Sequence, residues 1–238
     1  MSEMKTAKAK RTLTIDIGGT GIKMMVLDEN AQPVTERARI ETPSAATPSA
    51  VLNAVAVLVP TQGAFDRVSV GFPGVVFDGI VATAPNLGTA EWRGFNLAAA
   101  LEAGLGKPVK VCNDADVQGF GAIEGKGVEL VLTLGTGVGS ALFVDGRLVP
   151  NLELGHHIYR GKKTYEDYLG KAALEAAGKK KWRRRVLKAI AALEPIFNYR
   201  RLYLGGGNTK ILDAASLPEN VKAVDNLAGL LGGIALWR

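Results

Sequence analysis

Apolar and polar positions alternate in three short segments near the start of the chain, "TLTIDIG", "IKMMVLD" and "PVTERARI". A period of two is typical of β-strands, so we predict three strands here. Thr47 and Pro48 mark a helix start, because threonine caps a helix N-terminus and proline suits its first position. Further along we predict a strand at "RVSVGF", a helix near Leu97 to Leu105, a buried strand at "PVKVC" and a helix from about Ala115.

The second half of the chain repeats this order of elements. The segment "LVLTLGTGVGSALFVDGRLVP" predicts a strand, a glycine turn, a second strand and a third extended piece. After it we predict two helices, a strand at "RRLYLGG", a helix, a strand at "VKAV" and a last helix. The repeat is anchored by "GTGI" at 19–22 and "GTGV" at 135–138, each after an apolar strand.

Three strands followed by alternating helices and strands describe a mixed sheet with helices on its faces. We therefore predict an α/β fold with two such domains, 12–115 and 116–238, which face each other across an interdomain cleft. Residues 1–11 form a basic tail, and the last helix is free to pack back on the N-terminal domain.

Each glycine turn has two interpretations. Glycine tolerates the positive φ of a tight hairpin, which explains "IGGTG" after Asp16 without any function. Successive N–H groups of such a turn also form a concave anion site, and an acid beside it can hold the metal ion that accompanies a phosphate. Two turns facing one cleft would grip a nucleotide or another polyphosphate. A dinucleotide site is disfavoured because "GTGVG" leads into a strand, and no Walker P-loop is present.

Composition narrows the class of protein. A chain of 238 residues with 47% hydrophobic residues can bury a substantial core. Cys112 is the only cysteine, so there is no internal disulfide, and no Cys/His cluster has zinc spacing. No apolar run reaches the roughly 20 residues of a membrane span, and the start of the sequence lacks a secretory signal. We expect a cytoplasmic protein with no membrane partner.

The formal net charge of +6 favours an anionic partner. The positive charge is concentrated in the tail and in "KKKWRRR" at 179–185, where solvated charge is the default interpretation. Nucleic acid is an alternative partner, but no helix-turn-helix, zinc finger or aromatic RNA-binding signature accompanies these cations. We therefore expect no nucleic acid.

The segment "CNDAD" places Asn113 and Asp114 where a buried strand gives way to a helix. Helix capping explains one such residue and is the stronger interpretation for Asp116. Two adjacent polar groups at the carboxyl end of a strand also lie where open α/β sheets keep their sites. A kinase needs a carboxylate there, because a sugar hydroxyl is a poor nucleophile until a base accepts its proton.

Seven motifs occur together over about 13–237: "IDIGGTGIK", "GFPGVV", "NDAD", "LTLGTGVGSAL", "PNLELGH", "YEDYLG" and "LYLGGGNTKI". In this order the chain resembles the ROK sugar kinases of the ribonuclease-H-like, actin-like ATPase superfamily, and is most similar to their polyphosphate glucokinase branch. The resemblance implies phosphorylation of the 6-hydroxyl of glucose by polyphosphate, ATP or both, with Mg²⁺ as cofactor and a homodimer as the assembly.

The resemblance also implies roles for individual residues. Asp114 matches the catalytic base, and the matched sugar-binding residues are Asn86, Asn113, Asp114, Glu153, His156 and Glu166. The matched phosphate- and nucleotide-binding residues are Asp16, Gly18, Gly19, Thr20, Lys23, Gly135, Thr136, Gly137, Gly205, Gly206 and Gly207, with Asp16 holding Mg²⁺ through water. Without the resemblance, each of four residues has a structural interpretation. Asn86 would be a turn residue, His156 a half-buried histidine, Glu166 an acid at a helix start and Lys23 an outward-facing lysine.

One departure from the family is informative. Most members carry a cysteine-rich zinc motif after "GH", whereas "HHIYRGKKTYEDY" has no cysteine, so we expect no zinc at His156. Two alternatives stay open. One is an ATP-dependent kinase of fructose, mannose or an N-acetylhexosamine. The other is a non-catalytic sugar-binding regulator, for which about eleven residues before the first strand are too few to form a DNA-binding module.

Overall fold

The computed structural model describes residues 9–88, 90–224 and 228–238. Its first sheet contains the early strands of the chain. These strands are β1 (Thr12–Ile17), β2 (Ile22–Leu27), β3 (Ala38–Ile40), β4 (Arg67–Phe72) and, after the small hairpin of β5 (Val76–Phe77) and β6 (Ile80–Val81), β7 (Val109–Asn113). The strand order is β3-β2-β1-β4-β7. Helices α1 (Pro48–Leu58) and α2 (Leu97–Leu105) belong to the same part of the chain.

The second sheet follows α3 (Asp114–Phe120). It contains β8 (Val128–Leu134), β9 (Val138–Val144), β10 (Arg147–Val149), β13 (Arg201–Gly205) and β14 (Val221–Ala223), in the order β10-β9-β8-β13-β14. Between β10 and β13 lie the hairpin of β11 (Ile158–Arg160) and β12 (Lys163–Thr164) and three helices, α4 (Tyr165–Leu169), α5 (Lys171–Ala177) and α6 (Lys179–Phe197). Helix α7 (Ala228–Leu231) comes last.

The two sheets have the same pairing. In each, the first two strands form an antiparallel hairpin around a glycine turn, and the later strands run parallel to the first. The repeat and the mixed sheets flanked by helices are thus confirmed. Because the carboxyl ends of parallel strands meet at one edge of a sheet, the polar segments after β1, β7, β8 and β13 are brought to the edges that carry sites in open sheets.

Two cores hold the sheets against their helices. The first contains Trp92, whose indole N–H donates to the carbonyl of Ala46 at 2.7 Å. The second contains Trp182 of α6, whose indole donates to the carbonyl of Leu169 at the end of α4 at 2.9 Å. Both rings are fully buried with their polar atom satisfied, so each fixes the position of a segment that leads to the cleft.

Several element predictions were wrong in detail. The third strand covers only Ala38–Ile40 and not all of "PVTERARI". Three helices replace the two predicted before β13, because α4, α5 and α6 are separated by Gly170 and Gly178. The helix expected after "RRLYLGG" is a pair of short 3-10 turns, Gly207–Ile211 and Ala214–Ser216. Both small hairpins were missed, since two-residue strands are too short to show a period.

The last segment packs on the first sheet. Leu230 and Ile234 join Met25 and Leu27 in a small core. Ser69 of β4 donates its hydroxyl to the carbonyl of Gly233 at 2.7 Å and accepts from the indole N–H of Trp237 at 2.8 Å. The domain limits 12–115 and 116–238 stay predictions. None of the helices in the described ranges combines the length and apolar character that a membrane crossing requires.

Candidate active site

A cavity of about 650 Å³ lies between the two glycine turns. The structure brings sixteen of the residues singled out from the sequence to its wall: Asp16, Gly18, Gly19, Thr20, Lys23, Asn86, Asn113, Asp114, Gly135, Thr136, Gly137, Glu153, His156, Glu166, Gly206 and Gly207. Gly205 lies behind the wall at the end of β13, where a Cβ would collide with the side chain of Gln118, which does line the cavity. Its direct contact with a ligand stays a prediction.

The first glycine turn connects β1 to β2. The turn is closed by the Gly18 N–H, which donates to the carbonyl of Gly21 at 3.1 Å. A Cβ on Gly19 would lie 3.3 Å from the carbonyl oxygen of Asn86, so the absence of a side chain lets the loop of Asn86 approach the turn. The turn and Asn86 therefore share one wall of the cavity.

Asp16, Lys23 and Arg39 form a row across the first three strands. Asp16 lies opposite Lys23 in the register of β1 and β2, and Lys23 lies opposite Arg39 in that of β2 and β3. The Lys23 ammonium contacts Asp16 Oδ2 at 2.7 Å, and Arg39 Nη2 donates to the carbonyl of Thr20 at 3.2 Å. Lys23 therefore faces the cavity. Arg39 was missed from the sequence, although the hairpin register alone would have placed it beside Lys23.

The second glycine turn is held by side chains from three other segments. Gly135 N–H donates to the carbonyl of Gly137 at 3.0 Å, and Asn208 Nδ2 donates to the carbonyl of Gly135 at 2.9 Å. Glu166 of α4 accepts from the N–H of Val138 at 2.9 Å. A Cβ on Gly137 would collide with the Glu166 carboxylate, so glycine is required for this close approach.

Asp114 lies at the junction of β7 and α3. The side chain of Asn113 caps the helix by accepting from the N–H groups of Ala115 at 2.8 Å and Asp116 at 3.2 Å. The Ala115 N–H also donates to Asp114 Oδ1 at 2.8 Å. The pKa of Asp114 is raised to about 8, first by burial and then by the nearby negative charge of Asp16, while the Ala115 N–H opposes the shift.

A chain of polar contacts extends from Asn113 toward the cavity mouth. Asn113 Nδ2 donates to the carbonyl of Gly74 at 3.1 Å and to Glu153 Oε1 at 3.2 Å. The other oxygen of Glu153 lies 3.4 Å from Nε2 of the exposed His156. Burial raises the pKa of Glu153, an effect that His156 opposes and Glu166 reinforces. The three side chains thus form one connected polar surface.

Asp116 does not cap α3, although capping is the role that its sequence motif favours. It is fully buried, and Asn113 is the residue that caps α3. Asp116 Oδ2 accepts from the N–H of Asn151 at 3.1 Å, and Oδ1 has no partner among the described residues. Asn151 in turn exchanges two hydrogen bonds of 3.2 Å with Val76 of β5. Asp116 therefore anchors the loop that leads to Glu153.

Burial also raises the pKa of Asp116, to about 7, and the negative charge of Glu153 adds to this effect. The Asn151 N–H acts in the opposite direction.

Among the described residues, no group of three or more His, Cys, Asp or Glu side chains is arranged to hold a metal ion. A cation in this cavity would therefore need ligands from a phosphate or from water in addition to protein carboxylates.

Comparison with known proteins gives three results. Residues 12–165 match the model of the ROK family. The chain is 35% identical to the polyphosphate glucokinase of Mycobacterium tuberculosis (strain ATCC 25618 / H37Rv) over 237 residues, which cover 92% of this chain and 88% of that protein. It is also 35% identical to the inorganic polyphosphate/ATP-glucomannokinase from Arthrobacter sp. strain KM, with a TM-score of 0.86 and coverage of 96% and 100%.

A further solved structure supports the fold alone. The ROK family glucokinase from Streptomyces griseus, in complex with glucose and AMPPNP, gives a TM-score of 0.81 at 21% identity, with 95% of this chain and 98% of that chain covered. The predicted fold class, mixed sheets flanked by helices in the actin-like arrangement, is confirmed by these matches.

Proposed function

We propose that this chain, which belongs to the ROK family, is a glucokinase. It transfers a phosphoryl group from polyphosphate or ATP to the 6-hydroxyl of glucose and gives glucose 6-phosphate. The names of the two relatives at 35% identity support this activity. The observation that carries the mechanism is the carboxylate of Asp114, which faces the same cavity as both glycine turns and has a pKa of about 8.

Glucose binds through the polar surface of Asn113, Glu153 and His156. Amide, carboxylate and imidazole groups offer both donors and acceptors to sugar hydroxyls, and their mutual contacts hold them in position before the sugar arrives. Asn86 and Glu166 meet beside Gly137 and contribute from the second glycine turn. Buried polar groups of this kind reject a ligand that leaves them unpaired, which gives the site its sugar selectivity.

Asp114 accepts the proton of the attacking hydroxyl. A base is most effective when its pKa lies near the working pH, and the burial and charge around Asp114 bring its pKa to that range. Asn113 orients it, because the cap fixes the first turn of α3. Closure of the cleft would exclude water, which otherwise competes with the sugar for the phosphoryl group.

The donor phosphates bind between the glycine turns, because successive backbone N–H groups of such turns can form an anion site, and Lys23 and Arg39 lie adjacent. Mg²⁺ fits beside Asp16, since the carboxylates of Asp16 and Asp114 repel each other and a cation relieves that repulsion. Lys23 contacts Asp16 Oδ2, so Oδ1 is the oxygen that would hold the ion through water. When bound, Mg²⁺ neutralises charge on the transferring phosphoryl group.

A panel of donors and sugars tests the proposal. ATP and long-chain polyphosphate are each assayed with glucose, mannose, fructose and N-acetylmannosamine. Mannose is the second candidate sugar, because the Arthrobacter relative is named a glucomannokinase. Turnover with glucose supports the proposal, whereas turnover confined to fructose or the N-acetylated sugar, or no turnover at all, overturns it. The homodimer and the cytoplasmic location stay predictions.

A further inference from the structure

A second cavity, of about 360 Å³, lies beside α4 and α6. It is lined by Tyr159, Arg160, Tyr168, Lys181, Arg184, Arg185 and Lys188, and we refer to it as the basic cavity. Its volume falls in the range of small-molecule sites, about 300–1,000 Å³. Its wall carries five cations and no carboxylate, so its chemistry differs from that of the cleft.

Helix α6 sorts the cations of the basic segment onto different faces. Lys181, Arg184, Arg185 and Lys188 are spaced i, i+3, i+4 and i+7, which places them along one face of the helix. Trp182 and Val186 are buried in the second core. Lys179, Lys180 and Arg183 do not line the basic cavity, and Arg183 Nε donates to the carbonyl of Ile211. The dense run "KKKWRRR" therefore contains an ordered stripe.

The charges in the basic cavity are not neutralised by the protein. Within the described ranges, the side chains of Arg160, Lys181, Arg184 and Lys188 form no ion pair and no hydrogen bond. Arg185 contacts only Tyr168, with its guanidinium 4.9 Å from the ring centroid and Nη1 3.4 Å from the carbonyl oxygen. Like charges that line one cavity repel one another, and a bound anion would relieve that repulsion.

The stripe does not serve the helix itself. The first turn of α6 contains no acid, and no side chain caps it at Gly178. Cations near a helix N-terminus oppose the helix dipole and destabilise the helix. Of the stripe only Lys181 lies in this first turn, so the unfavourable interaction with the dipole falls on Lys181 and not on Arg184, Arg185 or Lys188. An anion bound beside Lys181 would offset this cost, because the helix dipole and the lysine then attract the same charge.

The aromatic wall holds the cavity in shape. Tyr159 and Tyr168 lie edge to face at 5.5 Å, and Tyr159 also stacks near the buried Tyr165 at 4.5 Å. Tyr168 is two residues from Glu166, which faces the cleft. Residues two apart on a helix project about 200° apart around its axis, so Glu166 and Tyr168 lie on different sides of α4.

We propose that the basic cavity is a second phosphate site that holds an inorganic polyphosphate chain at a distance from its reacting end. The inference rests on the proposed use of polyphosphate as a donor. A linear polyphosphate carries negative charge on every unit and extends beyond the glycine turns, whereas ATP ends in a nucleoside. Guanidinium groups match phosphate oxygens in paired hydrogen bonds, which suits Arg160, Arg184 and Arg185 to this ligand.

Two pairs of lysines on α6 provide the test and its matched control. K181Q/K188Q removes two charges from the basic cavity, and K179Q/K180Q removes two charges from the same helix outside it. All four side chains are exposed, so neither pair of substitutions affects the core. Thermal unfolding of each variant checks that the fold is intact.

Equilibrium binding of long-chain polyphosphate, measured without sugar, is the first readout. We expect K181Q/K188Q to weaken it by about tenfold at low salt and K179Q/K180Q by about twofold or less. The second readout is the ratio of KM for long-chain polyphosphate to KM for ATP, which should rise in the cavity variant alone. Tripolyphosphate has only three phosphate units and serves as the short-chain comparison, for which we expect a smaller rise.

Equal weakening of polyphosphate binding by the two pairs of substitutions would overturn the proposal, because general charge attraction would then explain the binding without the cavity. Tighter binding of a single-stranded oligonucleotide of equal charge would overturn it in favour of nucleic acid. If the wild-type protein binds polyphosphate through the cavity but phosphorylates only from ATP, the cavity is supported and the donor proposal fails. Polyphosphate-driven turnover that does not change in K181Q/K188Q supports the donor proposal and overturns the cavity proposal.

Discussion

Lowering the pH below 8 is expected to slow phosphoryl transfer in proportion to the loss of ionised Asp114. With a pKa of about 8, about nine in ten Asp114 carboxyls hold a proton at pH 7, and each further unit lowers the ionised fraction about tenfold. Only the ionised carboxylate can accept the proton of the sugar hydroxyl. The rate should therefore rise with pH through this range and level off above it.

The assay separates two states of the protein. With saturating glucose, kcat/KM for the donor reports the pKa before the donor binds, and kcat reports the pKa after it binds. Mg²⁺ arriving with the donor beside Asp16 favours the ionised form of Asp114. We therefore expect the acid limb of kcat to lie at lower pH than the limb of kcat/KM.

Two aspartate-to-asparagine substitutions in α3 identify the group whose ionisation limits the rate. Asp114→Asn keeps the size but removes the proton acceptor, so kcat should fall about 10²–10⁴-fold and lose the limb, while glucose affinity changes much less. Asp116→Asn is the matched control, because Asp116 also has a raised pKa but lies outside the cavity wall. A limb that survives in Asp114→Asn, or disappears in Asp116→Asn, would refute the assignment of Asp114 as the base.

Three further outcomes can be measured. Glu153→Ala and His156→Ala should each weaken glucose binding by about 1–3 kcal/mol in calorimetry, since each leaves a sugar hydroxyl unpaired; unchanged affinity would exclude the residue from the site. Asp116 has a raised pKa, so it stabilises the fold while protonated, and this contribution is lost as the pH rises from about 4 to 7. Asp116→Asn should lose this part of the dependence of Tm on pH, while the part due to Asp114 remains; an unchanged dependence would contradict the shift. Ser69→Ala removes one buried and one partly buried hydrogen bond and should lower the unfolding free energy by about 1–3 kcal/mol in denaturant titrations. The exposed Ser216→Ala should change it by under about 0.5 kcal/mol, and equal effects would show that the bonds of Ser69 add no stability.

The hydrophobic pattern was sufficient to predict both sheets, because long alternating strands and glycine turns recur in the same order. The cleft residues could be named from motifs, and sixteen of them line one cavity. Local pattern failed where tertiary contacts decide. Asp116 resembles a cap in sequence, yet its burial and its bond to Asn151 depend on a loop 35 residues away.

The basic segment is a second case in which the sequence pattern alone was not sufficient. The sequence revealed six cations at 179–185 but could not assign them to faces, because the start of α6 and the position of Tyr168 determine which of them meet. Lys188 lies outside the dense run and was overlooked, although it completes the stripe. Arg160 joins from a hairpin whose strands are too short to be recognised from their period.

The contact between Ser69 and Gly233 has a consequence for synthesis, because 164 positions separate the two residues. At about 5–20 residues per second, β4 waits roughly 8–30 seconds for the segment that covers it. During this time Met25, Leu27 and Ser69 lack their partners Leu230, Ile234 and Trp237. The face of the first sheet that carries Met25 and Ser69 is therefore completed only after the second sheet has been synthesised, and we expect this face to stay protease-sensitive until the last helix has emerged.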